Sequence, residues 1–594
     1  MVDPRVERFT EARRGRHLTL VGVAVVSLVL AARVAAAAGE VSFRLDPIGS
    51  DADSRQGDLQ EPFRTLEYAV ARAVAVGALS VEISLARGVF ALRAEGGGSP
   101  LEIPPGWRTL VLSGEGAASE IVGADACAGL LRWHPDGVEG NDGVQGELRI
   151  ELRNLQLRGG LTGLVVSGGA ERDLSLTVRQ CLFSGQQAGG VEVSAASGRS
   201  TNVSVRECEF RGGGGGVAVE ALTDANVTVD VLDCRFEDPE PSAGAAFRDL
   251  TAGVAMHADP ASRVQLLVER NTFLDVATAV QLTSSPDDGA GGAANRIASI
   301  LGNLVVGSSF DGSPGVGNDP GAARYGVDTP IYLGLWPHDG TELVVSQNTF
   351  FGVDRFVVQQ DNLSELDSQL AWTFANNICW GIHGGSEFAA EIADLGVPAA
   401  GVVDGPELTI RNNLLEKSWV ATAQLDGNFS ADPRFVAALD ETLIPEGFRL
   451  GADSPALERG LNKYAEGISV DLDGACRIAA VACGGRFRVD LGAFEAQGTC
   501  SESQARFLRG DCDPDGSLTL NDSVVVLGFL FLGWTPPACL DACDADDTGE
   551  LAISDALFGL SFLFLGGSAL PPPAAAPGED PTCDNLPSCG TVLP

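Results

Sequence analysis

From about residue 150 to residue 420 the chain alternates apolar and polar positions with a period of two, in short bursts. Val191-Glu-Val193, Val203-Ser-Val205, Val217-Ala-Val219 and Val227-Thr-Val-Asp-Val231 are examples, separated by glycine-rich turns. This pattern predicts short half-buried strands. One phrase recurs among them. It reads Val178-Arg-Gln-Cys181-Leu-Phe183, then again around Cys208, Cys234 and Asn271, and in looser form around Asn303, Asn348, Asn377 and Asn413. Its first copies are 27 and 26 residues apart, and later ones are spread by insertions such as residues 284–295 and 308–325. Strands of period two inside a repeat of this length predict stacked coils, with the recurring Cys or Asn in register and Asn side chains bonding between coils. A helical period appears at only a few places. One follows Gly57, where Phe63, Leu66, Ala69, Val70 and Ala73 share one face of a predicted helix over about residues 61–76.

The phase-locked phrase and that helix resemble right-handed parallel β-helix proteins of the pectate-lyase-like class, in which a helix plugs the open end. Ile83-Ser-Leu-Ala-Arg-Gly-Val-Phe90 looks like a first coil. Near residues 428–497, Ala431-Asp-Pro-Arg-Phe435, Phe448 to Leu457, Asp471-Leu-Asp-Gly474 and Asp490-Leu-Gly-Ala-Phe-Glu495 resemble the closing segment of bacterial surface proteins of the choice-of-anchor type. The expected fold is therefore mainly β: a parallel β-helix solenoid over residues 39–497 with an N-terminal capping helix, followed by a small all-α domain.

That small domain is written twice, at an offset of 33 residues. A calcium loop of twelve residues takes oxygen ligands from positions 1, 3, 5, 7, 9 and 12, with glycine at 6. Asp511, Asp513, Asp515, Ser517 (by its carbonyl) and Asp522 occupy positions 1, 3, 5, 7 and 12 of the first loop, around Gly516. Asp544, Asp546, Thr548, Glu550 (by its carbonyl) and Asp555 do so in the second, around Gly549. Two Ca2+ sites are expected, the second weaker because Thr548 replaces a carboxylate. Aspartate at position 12, Leu518 and Leu551 at position 8, and the repeated Phe529-Leu-Phe-Leu-Gly533 and Phe562-Leu-Phe-Leu-Gly566 make residues 505–570 resemble a type I dockerin, a paired EF-hand-like module. The resemblance implies two calcium ions and docking onto a cohesin-like or cell-surface partner, often for polysaccharide-degrading enzymes. The helix after the first loop lacks the basic residue that many dockerins carry there. Residues 571–594, rich in proline and holding two cysteines, read as a tether.

Composition narrows the setting. Eighty acidic against 40 basic side chains give a net charge of −40, which disfavours nucleic acid and anionic membrane. Arg13, Arg14 and Arg16, the apolar run Leu18 to Ala32 and Ala35-Ala-Ala-Ala38 predict a signal peptide over residues 1–38 and a secreted or cell-surface protein. No other stretch reads as a membrane span. Thirteen cysteines in an exported chain imply disulfides. Cys476 and Cys483 could pair locally, and Cys181, Cys208 and Cys234 read as a buried stack in preference to a disulfide.

Catalytic chemistry is not written as a set. The carboxylate and histidine series of β-helix galacturonases is missing. Asp287-Asp288 reads as solvated loop, and His257, His338 and His383 read as turn residues. His338-Asp339 beside Trp336 and Tyr332 is the best candidate groove, with Arg270, Arg324 and Arg355 as candidate bases or carboxylate anchors. Asp471-Leu-Asp-Gly474 reads as a closing turn. Three functions stand open: a polysaccharide lyase or glycoside hydrolase, a non-catalytic adhesive β-helix, and a structural calcium-dependent assembly module.

Overall fold

The computed structural model describes residues 39–52, 57–92, 101–123, 129–133, 146–168, 172–237, 252–259, 261–276, 278–285, 295–307, 329–334, 341–353, 357–360, 371–381, 407–416, 427–437, 445–465, 467–477, 488–496, 506–549, 551–578 and 586. The chain forms two compact units, Met1–Asn202 and Val203–Pro594, and every strand pairing recorded within each is parallel. Both are stacks of coils in which each turn contributes one strand to each of three sheets. The protein is a parallel β-helix solenoid with a small helical part near its C-terminus.

In the first unit the leading sheet runs through Glu40–Leu45, Ser80–Leu85, Thr109–Ser113, Leu148–Arg153 and Leu174–Arg179. Its first strand lies before the helix, so the sheet begins one coil earlier than Ile83 suggested. Helix α1 (Leu66–Ala75) buries Leu66, Ala69 and Ala73. Its start is fixed by Thr65, whose hydroxyl accepts from the Tyr68 amide, and by Asp51, which accepts from the amides of Arg64 and Thr65. Phe63, fully buried, packs on Phe43 and Tyr68 with ring centres 5.1 and 5.0 Å away.

In the second unit the recurring phrase sits where one strand turns into the next. The residue before each ladder position has a left-handed backbone: Asp233, Arg270, Gly302, Gln347, Asn376 and Asn412 have φ between 51° and 63°. The ladder residue then turns inward. Asn271 Oδ1 accepts from the Cys234 amide, and Asn303, Asn348, Asn377 and Asn413 repeat the bond on the preceding coil at 2.8–3.0 Å. Each Nδ2 donates to a carbonyl of the preceding coil, Val231, Val268, Ile300, Val345 and Phe374 in turn. Asn428 extends the ladder by one step, only 15 residues after Asn413, where the repeat length gave no hint of it. Beside the ladder, Phe210, Phe236 and Phe273 stack nearly parallel, with centres 4.8 and 4.7 Å apart. Cys181, Cys208, Cys234 and Cys379 are buried and form no disulfide, as expected of the first three.

The closing segment is held by buried carboxylates acting as backbone acceptors. Asp471 Oδ1 takes the amides of Asp473 and Ala475 and its Oδ2 that of Glu495, which makes it the closing turn expected. Asp490 takes the amides of Glu458 and Ala496. Arg477, buried among these acids, donates to Gln347 and the Gly492 carbonyl. Burial lifts the Asp490 carboxyl to about 6. The folded state therefore holds a proton that the unfolded chain releases near 4. This term stabilises the segment fully below pH about 4 and is lost as pH rises through about 6, a swing of at most about 3 kcal/mol. The Glu458 and Ala496 amides should accordingly be better protected from hydrogen exchange at pH 5 than at pH 7, after correction for intrinsic rates. Equal protection would contradict this.

Candidate metal centre

The two acidic loops precede helices of equal length, α2 (Leu520–Leu532) and, beyond the short α3 (Leu540–Cys543), α4 (Ile553–Leu565). The bonding of their first and last carboxylates is the same residue for residue. At position 1, Asp511 accepts from the amides of Asp515 and Gly516, and Asp544 from those of Thr548 and Gly549. At position 12, Asp522 accepts from the amides of Asp513 and Thr519, and Asp555 from those of Asp546 and Ala552. These bonds bend each loop back on itself so that its carboxylates converge. Gly516 and Gly549 allow the bend because their φ values, 84° and 79°, are strained for residues with a Cβ. Thr519 caps α2, and Asp522 and Asp555 put negative charge in the first turn of each helix.

The result is two groups of carboxylate oxygens, one from Asp511, Asp513 and Asp522 and one from Asp544, Asp546 and Asp555. Each group lies within 4.8 Å. Oxygens on opposite sides of a calcium ion at 2.3–2.6 Å are about 5 Å apart, so the spacing fits. The position 3 side chains make the stronger argument. Asp513 Oδ1 and Asp546 Oδ1 are buried without a hydrogen-bond partner, in both loops alike. A buried carboxylate oxygen with nothing to accept is costly unless a cation meets it. Burial, followed by repulsion from Asp513 and Asp511, raises the Asp522 carboxyl. Burial, and then Asp544, lifts Asp555 to about 7. Asp515 Oδ1 instead accepts from the Ser517 amide within its own loop. Glu550 lies outside the described residues.

The loops are joined as well as alike. A disulfide links Cys512 to Cys543, with Cα atoms 4.5 Å apart, and the two cysteines share a core with Val526 and Ala556. Arg509 is fully buried; it pairs with Asp547 at 2.8 Å and donates to the carbonyls of Asp544 and Pro572. Phe507 and Gly578 exchange backbone bonds, and the Arg509 amide donates to Pro573. The start of the proline-rich segment, expected as a tether, thus packs back on the module, its Pro572 carbonyl meeting the buried Arg509 guanidinium and its Pro573 carbonyl the Arg509 amide.

Outside the loops, Arg270 is committed to structure: its guanidinium pairs with Asp233 at 2.8 Å and with Glu269. His257 lies on a strand, Ala252–Ala258, and not in a turn, and it touches Thr283 and Ser285. Those partners are 26 and 28 residues away, one coil length, which is the signal that would have found them. His338, His383, Trp336, Arg324, Arg355, Asp287 and Asp288 lie outside the described residues, as does the predicted signal peptide. No helix among the described residues is long and apolar enough to cross a membrane.

No protein-family model matches the chain, and no curated protein matches it. Among solved structures it is similar to tailspike protein 3 of bacteriophage CBA120, at 13% identity and TM-score 0.25 over 66% of this chain. It spans 59% of that tailspike chain. It is also similar to a rhamnogalacturonan lyase, at 12% identity and TM-score 0.24, over 69% of this chain and 94% of the other. A third similar structure is the catalytic domain of a GH87 alpha-1,3-glucanase in complex with nigerose, at 10% identity and TM-score 0.24, over 69% of this chain and 67% of the other.

Proposed function

We propose that this is an exported β-helix protein that binds or cleaves polysaccharide and is held in place by a calcium-organised, dockerin-like module. The observation that carries the attachment half is the matched pair of carboxylate groups, each with a buried, unpartnered oxygen at position 3. The helices behind them supply a docking face. Phe531 and Phe564 are 64% and 65% exposed, and Leu532 and Leu565 lie beside them at 70% and 82%. Paired apolar side chains so open to water suit a protein partner, cohesin-like or on a cell surface. The polysaccharide half rests on the solenoid, whose strands present outward side chains at a regular spacing of about 4.8 Å. The test incubates the full chain with a panel of insoluble polysaccharides and follows both retention and release of reducing ends. Retention with release supports an enzyme, and retention alone supports the non-catalytic adhesive reading. Neither on any polysaccharide would overturn the polysaccharide half.

A further inference from the structure

The two halves of the C-terminal module are alike in sequence, but one buried side chain treats them differently. Arg509 stands two residues before the first loop, yet its fully buried guanidinium reaches the second. Nη1 donates to the Asp544 carbonyl at 2.9 Å, and Nη2 pairs with Asp547 at 2.8 Å. Those are positions 1 and 4 of the second loop. At the offset of 33 residues, the counterpart of Arg509 is Ala542 and that of Asp547 is Pro514. A methyl group cannot reach across to the first loop, and proline offers no carboxylate to meet. The clamp therefore serves one loop of the pair.

Position 4 matters because ligand positions stand on either side of it. Asp547 has a left-handed backbone, φ 61°, which a residue with a Cβ keeps best when its surroundings hold it there. The ion pair with Arg509 supplies that hold. It fixes the course of the chain between Thr548 at position 5 and Asp546 at position 3, whose Oδ1 is buried without a hydrogen-bond partner. The second loop also has more need of it. With a hydroxyl in place of a carboxylate at position 5, it has less charge with which to order itself around a cation.

The arginine is itself held from the other side. Its Nε donates to the Pro572 carbonyl at 3.1 Å, and its amide donates to the Pro573 carbonyl at 2.7 Å. Phe507 and Gly578 exchange backbone bonds of 3.0 Å in both directions. The guanidinium carbon lies 5.4 Å from the centre of the Phe507 ring. Gly578 sits so close to Pro573 that a Cβ on it would fall 2.9 Å from the proline Cβ. Residues 572–578 thus form a strap closed over Phe507 and Arg509. Losing the Pro572 carbonyl would let the guanidinium turn, since a buried N–H seeks another acceptor.

We infer that Arg509 is a positioning residue for calcium in the second loop, and that the strap raises that loop's affinity by holding the guanidinium in place. Ordering positions 1 and 4 beforehand reduces the conformational entropy that the ion must otherwise overcome. The inference rests on the calcium reading above and goes beyond it, because the two sites then answer differently to the tail.

Calcium calorimetry on the full chain tests it, with Arg509→Gln and Gly578→Val made singly and together. The first removes the ion pair with Asp547. The second wedges the strap against Pro573 and leaves every loop residue in place. Each should weaken one of the two sites about tenfold and leave the other within about twofold. The double variant should be no weaker than Arg509→Gln alone, because the strap acts through the guanidinium. In an Asp544→Ala chain, where the first site remains, neither substitution should change the affinity. A general loss of stability would instead weaken both sites, and its effects would add. If Arg509→Gln misfolds, seen as lost helical circular dichroism, Gly578→Val decides by whether its weakening falls on one site. Equal weakening of both sites, additive losses, or no change in either would overturn the strap and leave two calcium sites standing. A native chain that takes up no calcium would overturn the calcium reading, and the strap with it.

Discussion

Chelating calcium from the full chain is expected to melt α2 and α4 while the parallel sheets remain folded. The six clustered carboxylates provide the reason. With an ion, the bare oxygens of Asp513 and Asp546 are coordinated; without one, two buried acids and one partly buried acid crowd together in each loop, and burial, with repulsion added, raises the Asp522 and Asp555 carboxyls. An ion that binds only the folded loops stabilises them by about 2.7 kcal/mol per site at a hundredfold excess over Kd. The small core, drawn mainly from Cys512, Val526, Cys543 and Ala556, has little to set against that loss. Calorimetry should count two ions in the native chain and one in Asp544→Ala, and the helical circular dichroism of the native chain should fall on adding EGTA. Absence of calcium heat, or a helical signal indifferent to EGTA, would sink the calcium assignment.

Asn348→Ala should destabilise the solenoid on the order of 4 kcal/mol. Asn348 is fully buried. Its Oδ1 accepts from the Asn303 amide and from Asn303 Nδ2, and its Nδ2 donates to the Ile300 carbonyl and to Asn377 Oδ1. Truncation leaves a buried amide and a buried carbonyl unpaired, each worth about 1–3 kcal/mol, and adds a cavity. Asn376→Ala, one position before a ladder residue, should cost less, since its side chain bonds only part-buried backbone at Leu461. Denaturant unfolding of both variants compares them. Equal losses would show that the ladder bonds contribute no more than the backbone bonds of a buried asparagine beside the ladder.

The solenoid was legible because its physics is local. Alternation sets the strands, and one Cys or Asn per coil marks the turn, so Cys181 through Asn413 could be placed by phrase alone. Asn428 was missed because its coil is short, and Glu40–Leu45 because a lone strand before the helix repeats nothing. The clustering of carboxylates in the two acidic loops was also readable, since position numbers dictate which oxygens converge. Reading position numbers did not separate Asp515, turned into its own loop, from Asp513, whose Oδ1 has no hydrogen-bond partner. The partners of His257 went unread because stacking one coil length apart, and not sequence proximity, brings Thr283 and Ser285 to it. The proline-rich stretch misled for a related reason: composition suggested an extended linker, and only the fold revealed Arg509 waiting for its carbonyls.

The bridge between Cys512 and Cys543 gives the module a history as well as a shape. Closing a loop of 31 residues removes about 4 kcal/mol of chain entropy from the unfolded state, on the entropic account. In a reducing compartment that restraint is missing, and where calcium is scarce the proposed metal restraint would be missing too. Both become available together in an oxidising, calcium-rich medium. On the exported, calcium-binding reading proposed above, the module would stay slack during synthesis and close after export.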